Sequence, residues 1–217
     1  MSKSVKFFII FFTGITVCLI GGLFFVDKTF YQQEITIPYI EEPVQVNISA
    51  NEKLSLFFVK KYHDYDIIIT PQARYKVHAA VLSKHRYFWG IDGYLAPYDL
   101  ALGWGKYAKK ENYSKVIFLQ FGRWYYYFYP SAEFSDAGLY SANTHVVPSN
   151  EKVLEGIKKL KKHNEVYMEG YLVYIEAATP KGKTFTWNSS LSREDSGDGA
   201  CEIFYVTKLV SKHGIFE

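Results

Sequence analysis

The first pattern along the chain is an uninterrupted apolar run. Residues 7–26 (FFIIFFTGITVCLIGGLFFV) carry no charge. At 1.5 Å per residue, a helix of that length reaches roughly 30 Å, about the thickness of a bilayer's hydrocarbon core. Thr13, Thr16 and three glycines fit such a helix, because hydroxyls bond back to the preceding turn and glycine is common in membrane spans. Lys3 and Lys6 precede the run, while Asp27, Lys28 and Glu34 follow it. Basic flanks stay inside, so residues 1–6 are expected in the cytoplasm and the remainder outside. A cleaved signal peptide is the competing reading. Such peptides have an apolar core of about 7–15 residues and end in small residues, whereas this run ends Leu-Phe-Phe-Val. Lipoprotein processing at Cys18 meets the bulky Val17. The expectation is an uncleaved transmembrane helix at 7–26, and both alternatives would still place the domain outside.

Residues 27–52 read as a stalk, punctuated by Pro38 and Pro43 around Glu41 and Glu42. Residues 53–217 read as one soluble β-rich domain, in which apolar stretches of strand length alternate with turn residues. The predicted strands are 65–70, 75–82, 115–121, 124–129, 165–176, 183–188 and 201–209. One helix is predicted after Ser149 or Asn150, with Val153, Leu154, Ile157 and Leu160 on one face. Lys158, Lys159, Lys161 and Lys162 close it, and they read as a solvated face complementing the helix dipole rather than as a headgroup or nucleic-acid site. A shorter helix is predicted over 97–102, with Pro97 in its first turn.

Strand 165–176 changes phase. Val166 and Met168 are apolar at even positions, Val173 and Ile175 at odd ones. A period-two pattern shifts phase when an extra residue is accommodated, which predicts a β-bulge or sharp coil near Gly170 to Leu172. Long strands that bend at glycine belong to small barrels, including OB-like ones. In the OB-fold, however, only two strands follow the helix, and here three do. The expected fold is mainly β (α+β): a partly open β-barrel or sandwich, OB-like in character, with one packed helix.

Charge and cysteine content narrow the function. All 22 acidic residues lie beyond Val26, as do all 25 basic ones except Lys3 and Lys6. A domain so near neutrality lacks the basic footprint of nucleic-acid binding. Cys18 lies in the apolar run, so Cys201 is the only cysteine of the domain and no disulfide forms within it.

Three segments are richer in glycine and polar residues than a plain β-domain requires: DLALGWG at 99–105, SANTHVVP at 141–148 and SSLSREDSGDGACE at 189–202. At these points the chain resembles a group of small, uncharacterised bacterial membrane-anchored proteins that share D-x-A-L-G-W-G, S-A-N-x-H and S-S-L-x-R-x-D-x-G-x-G-A-C-E. The resemblance spans residues 75–206. It implies a bacterial origin and an inner-membrane anchor, and no mechanism.

The candidate chemistry is sparse. Cys201 with His145 as base, and Asn143 or Asp198 orienting it, would make a nucleophilic pair. A structural thiol at the start of a strand is the plainer account. The six histidines (63, 78, 85, 145, 163 and 213) show no tight metal spacing. Residues 194–199 resemble half a calcium loop, but its twelfth position is Tyr205; a turn is the plainer account, and neither metal nor cofactor is expected. Carboxylate pairs such as Asp195 with Asp198, or Glu194 with Glu202, arise in any acidic turn. Arg193 is expected to clamp Glu194 or Asp195, or else to grip an anion.

The aromatic strand 124–129 alternates Trp124, Tyr126 and Phe128 with Tyr125, Tyr127 and Tyr129. The first set suits a core. The second is either a further buried layer or a tyrosine ladder for sugars or protein partners. Binding residues are therefore sought among Trp104, Tyr125, Tyr127, Tyr129, Asn143 and Arg193. The functional expectation is a non-catalytic binding module of the cell envelope, with another envelope protein or a glycan as partner. The alternative is an envelope hydrolase or acyl transferase using His145 with Cys201 or a loop serine.

Overall fold

In the computed structural model the long strand β3 (Tyr65–Arg86) organises the sheet. The structure describes residues 34–53, 57–195, 197 and 199–217. The expected cytoplasmic stub, membrane helix and first part of the stalk lie outside these residues. None of the described helices is long and apolar enough to cross a membrane. Residues 35–217 form one compact unit.

The predicted strands 65–70 and 75–82 are one strand of 22 residues, interrupted by a register shift between Pro71 and Ala73. Proline has no N–H to donate, so it sits where the ladder is broken. Gln72 is the extra residue, and its carbonyl accepts from Ile48 N–H at 2.9 Å. The bulge turns β3 over: Ile67 and Ile69 join one hydrophobic cluster, while Ala73, Tyr75 and Val77 join another.

The phase change in β8 (Glu165–Ala178) is real, but its cause is not an extra residue in that strand. Val166, Met168 and Leu172 belong to the first cluster and Val173, Ile175 and Ala177 to the second, so β8 buries opposite faces at its two ends. The accommodating residues lie in its partners. One is Gln72 of β3, and the other is Thr207 in β10 (Glu202–Ser211), where pairing shifts between Val206 and Lys208. Gly170 lies at this point because a Cβ there would approach the Tyr205 carbonyl oxygen to 2.0 Å.

The architecture is mainly β, with sandwich-like layers and few helices. β3 pairs antiparallel with β4 (Tyr98–Gly103), β4 with β7 (Ser141–Pro148), and β7 runs parallel to β10. β10 then pairs with β8, which returns to β3, so the pairing path closes on itself. Shorter strands extend the sheet: β1 (Val44–Asn47), within the expected stalk, and β2 (Phe58–Tyr62) on β3, β9 (Thr184–Asn188) on β8, and β11 (Gly214–Phe216) on β10. Of the three strands expected after the main helix, the middle one, β9, thus lies outside the closed path.

The helix expected over 97–102 is instead β4. Tyr98, Leu100 and Leu102 alternate with Asp99, Ala101 and Gly103, and all six are buried. Period-two alternation covered on both faces outweighs the helix-start preference of Pro97. Short helices α1 (Ala50–Lys53), α2 (Gly90–Leu95) and α3 (Lys110–Tyr113) fill connections.

The main helix, α4 (Glu151–Lys159), begins as expected: the Asn150 side chain accepts from Val153 N–H at 3.0 Å. Its end is capped from the sheet. Lys84 Nζ donates to the carbonyls of Ile157 at 2.6 Å, Lys158 at 3.1 Å and Leu160 at 2.8 Å. A two-stranded sheet of β5 (Ile117–Phe121) and β6 (Trp124–Phe128) covers the outer side of β4 and β7.

Candidate functional site

Strands β4 and β7 turn their even-numbered residues inward, where Tyr98, Leu100, Leu102 and Val146 join the main core. Their odd-numbered residues, Asp99, Ser141, Asn143 and His145, face the other way and are also buried. Buried polar groups require partners, and here the β5–β6 hairpin and the loop over 189–201 supply most of them; Asp99 Oδ2 and His145 Nδ1 have no hydrogen-bond partner among the described residues.

The hairpin turns through Gly122 and Arg123, at φ +60° and +70°. Two consecutive positive φ angles make the tight turn whose twist suits a hairpin, and glycine takes the first at no steric cost. Arg123 takes the second because its side chain is held on every side. Its Nη1 donates to buried Asp99 Oδ1 at 2.6 Å and to the Ala96 carbonyl at 3.0 Å. Its Nε and Nη2 reach Asp92 Oδ2 at 3.2 and 3.1 Å, and the guanidinium lies 3.6 Å from the Tyr87 ring centroid. Burial and the Asp99 charge push the Tyr87 hydroxyl up to about 12.

Asp99 is fully buried and also serves His145, whose Nδ1 lies 2.8 Å from Asp99 Oδ1. The two atoms are in close contact but off the line of a hydrogen bond. The other hairpin anchors are polar too. Gln120 donates to Asn143 Oδ1 at 2.6 Å, Asn143 Nδ2 donates to the Arg123 carbonyl at 3.0 Å, and Tyr125 shares a hydrogen bond with Ser141 at 2.6 Å.

Two adjoining cavities open beside this network. The larger, about 490 Å³, is lined by Asp92, Arg123, His145, Phe185 and Trp187 among others. The smaller, about 310 Å³, is lined by Trp104, Tyr125, Tyr127, Asn143, Arg193 and Glu202 among others. Trp124, Gly197 and Cys201 border both. The three segments singled out by composition therefore meet: 99–105 contributes Trp104, 141–148 contributes Asn143 and His145, and 189–202 contributes Arg193, Cys201 and Glu202. Tyr129 does not join them; it is exposed and stacks on Tyr127 at 6.3 Å.

The hairpin faces are the reverse of the expectation that Trp124, Tyr126 and Phe128 suit a core. Those three are exposed, and Tyr125 and Tyr127 pack inward with Phe118. Gly138 explains part of this, because a Cβ there would meet the Tyr127 hydroxyl at 2.6 Å.

The thiol of Cys201 accepts from Asn143 Nδ2 at 3.4 Å and donates to the Arg123 carbonyl at 3.9 Å. The parallel register sets Glu202 beside Thr144 and Ile203 beside His145, so Cys201 is two residues short of the histidine's partner. Burial pushes its pKa up to about 11, opposite to what a nucleophile needs. The loop serines are occupied structurally. Ser189 Oγ donates to the Ser190 carbonyl and accepts from Ile203 N–H, and Ser190 Oγ donates to Asp195 at 2.6 Å.

Arg193 does not clamp Glu194 or Asp195. It donates from Nη2 to the Pro43 carbonyl at 3.2 Å and lies 5.9 Å from the Tyr75 ring centroid. Its Nε and the Oε2 of Glu202 are buried without a hydrogen-bond partner among the described residues. Burial holds the Glu202 carboxyl far above the ordinary range, up to about 8, against the opposing pull of Arg193. Positions 196 and 198 of the half calcium loop lie outside the described residues. Among those described, no group of three His, Cys, Asp or Glu residues is placed to hold a metal ion.

Arg123, Asp92 and Trp187 escaped sequence reasoning. The one available signal was a charged residue after glycine between two aromatic strands, which reads as an ordinary turn. No known protein family, curated protein or solved structure matches the chain.

Proposed function

We propose that the protein is a single-pass, membrane-anchored protein of the bacterial envelope, held by residues 7–26 with its amino terminus in the cytoplasm. Its β-domain is a non-catalytic binding module of OB type that takes a glycan in the cleft over β4 and β7. Support for the barrel type comes from connectivity. Taking β3, β4, β7, β8 and β10 as five barrel strands, the helix α4 falls between the third and fourth, and the third and fifth run parallel. OB barrels bind oligosaccharides and oligonucleotides on strands two and three, between the loops joining strands one to two and four to five. Those elements here are β4, β7, the α2 connection and the 179–201 segment, which border the cleft. Near-neutral charge disfavours nucleic acid.

The observation that carries the glycan reading is the pair of unpartnered buried groups. The Arg193 Nε–H can only donate. Glu202 Oε2 lacks its complement, in a cavity walled by Trp104, Trp124, Tyr125 and Tyr127. A sugar hydroxyl or acetamido group both donates and accepts, and sugar rings stack on aromatic faces. A cavity of about 310 Å³ lies at the small end for ligand sites, where a terminal sugar residue fits. Calorimetric titration of the full chain in detergent with N-acetylglucosamine oligosaccharides tests this. Saturable binding, weakened at least fivefold by Trp124→Ala, is expected. No binding overturns the glycan reading, and capture of an envelope protein by cross-linkers placed in the cleft replaces it.

A second reading, an envelope hydrolase or acyl transferase, draws on one observation: Asp99 Oδ1 lies 2.8 Å from Nδ1 of His145, close enough to orient a general base once the imidazole turns onto the carboxylate. Covalent labelling by a fluorophosphonate or by iodoacetamide that is abolished in His145→Ala would favour it. Labelling unaffected by that change would remove it.

A further inference from the structure

The outer face of the β5–β6 hairpin carries only large aliphatic and aromatic side chains. Cross-strand register pairs Ile117 with Phe128, Leu119 with Tyr126 and Phe121 with Trp124. All six side chains are exposed, Phe121 by 77% and the others by 41–60%. Cross-strand pairing steadies a hairpin modestly, and polar β-formers such as threonine also supply it. Pairing alone therefore does not explain an outer face built only of large apolar groups. A contiguous patch of this kind marks an interaction surface.

We infer that this face rests on the bilayer that holds the chain, seating Ile117, Leu119, Phe121, Tyr126 and Phe128 in the headgroup region while Trp124 stands at its edge over the cleft. The inference rests on the anchor reading of residues 7–26. Three observations favour lipid over a protein partner.

The first is tether length. Only eight residues separate Val26 from Ile35, which span at most roughly 30 Å. Any face on that side of the domain is therefore within reach of the membrane.

The second is where the chain joins the domain. The Glu41 carbonyl accepts from Gly105 N–H at 3.1 Å, and Tyr39 lines one cavity with Lys109, Lys110 and Tyr113. Those residues run directly into β5, so the tether arrives at the foot of the hairpin.

The third is charge. Lys109, Lys110, Lys115 and Lys162 make no ion pair among the described residues. Burial first, and then the nearby Lys162 and Lys110, lower the His163 pKa, and His163 stacks on Tyr113 at 4.6 Å. Lysines without an ion pair at the foot of the hairpin, among Tyr39, Tyr113 and Phe134, match an anionic interface with aromatic rings at headgroup depth.

The test uses the full chain with Cys18→Ser and Cys201→Ser, reconstituted in vesicles of phosphatidylethanolamine and phosphatidylglycerol. A single environment-sensitive label is placed at Leu119→Cys, Tyr126→Cys or, as a distant control, Lys181→Cys. Lipid-borne nitroxides are expected to quench labels 119 and 126 at least threefold more than label 181. Replacing phosphatidylglycerol by phosphatidylcholine should reduce that difference. Equal, weak quenching at all three sites in protein that resists alkaline extraction overturns the inference while leaving the anchor intact. Release of the chain by alkali removes the anchor and the inference together. A shift of labels 119 and 126 to an apolar environment without nitroxide quenching means a protein covers the face, and also overturns it.

Discussion

The two faces of β4 and β7 are built from alternate residues of the same short segments, and both are buried, yet they are opposite in kind. The inward face is an ordinary core of Tyr98, Leu100, Leu102 and Val146. The outward face carries Asp99, Ser141, Asn143 and His145 under a hairpin pinned by Arg123. Water exclusion suffices to hold the first. The second holds only if each polar group finds its complement, because an unmatched buried charge costs several kcal/mol. The hairpin therefore stays in place through specific polar contacts as well as through Phe118 and its neighbours. Such a cover creates a cleft at its margin, where matching is incomplete.

The largest effect is expected on the polar face. Arg123→Ala leaves fully buried Asp99 without its cation and is expected to cost about 3–5 kcal/mol. Thermal unfolding should fall by roughly 10 °C. A loss below about 1 kcal/mol would mean that apolar packing alone secures the hairpin. On the inward face, Leu100→Ala is expected to cost about 3 kcal/mol while leaving the cleft intact. Ligand binding unchanged in that variant, per folded molecule, separates the two faces.

At the cleft margin, the pH profile of stability tests Glu202. Its folded pKa is raised to about 8 while the unfolded carboxyl keeps its ordinary value near 4.5. Between those limits the folded state holds the extra proton, so stability falls as pH rises from about 4.5 to about 8 and then levels off. The decline is on the order of 2 kcal/mol once the loop relaxes around the charge, and Glu202→Gln should flatten it. An unchanged slope in that variant would assign the pH dependence elsewhere. The smallest effect is chemical. Cys201 at about 11 should react with iodoacetamide at pH 8 at least tenfold more slowly in the folded chain than in urea. Equal rates would mean the thiol is not shielded as described.

Much of the fold was legible from alternation. The predicted strands 115–121, 124–129, 165–176, 183–188 and 201–209 correspond to β5, β6, β8, β9 and β10, because period two is a local property of side-chain direction. The capped helix after Asn150 was legible for the same local reason. Where local signals competed, reading failed: Pro97 suggested a helix where Tyr98–Gly103 forms a strand. The phase change near Gly170 was visible, but its cause was not, since the extra residues Gln72 and Thr207 belong to partner strands. Alternation suits Trp124, Tyr126 and Phe128 to a core, whereas they are exposed and Tyr125 and Tyr127 form the buried layer, one of the two expected alternatives for that set. Both faces of the hairpin are aromatic, so no polarity difference said which one meets the core.

The site divides in the same way. Composition alone singled out the 99–105, 141–148 and 189–202 segments, and it marked Trp104, Asn143, His145, Arg193 and Cys201 within them. Spacing and polarity also determined the strand periods, the helix cap, the apolar run at 7–26 and the near-neutral charge of residues 27–217, because each is a property of neighbouring residues or of composition. Only the tertiary structure decided that Trp104, Asn143 and Arg193 line one cleft, and that Cys201 meets Asn143 while His145 meets Asp99. Parallel pairing of β7 with β10 sets that choice, since a shift of one residue would exchange which side chains share a face. Register between distant segments comes from burial summed over the whole sheet, and no local stretch of sequence carries that sum.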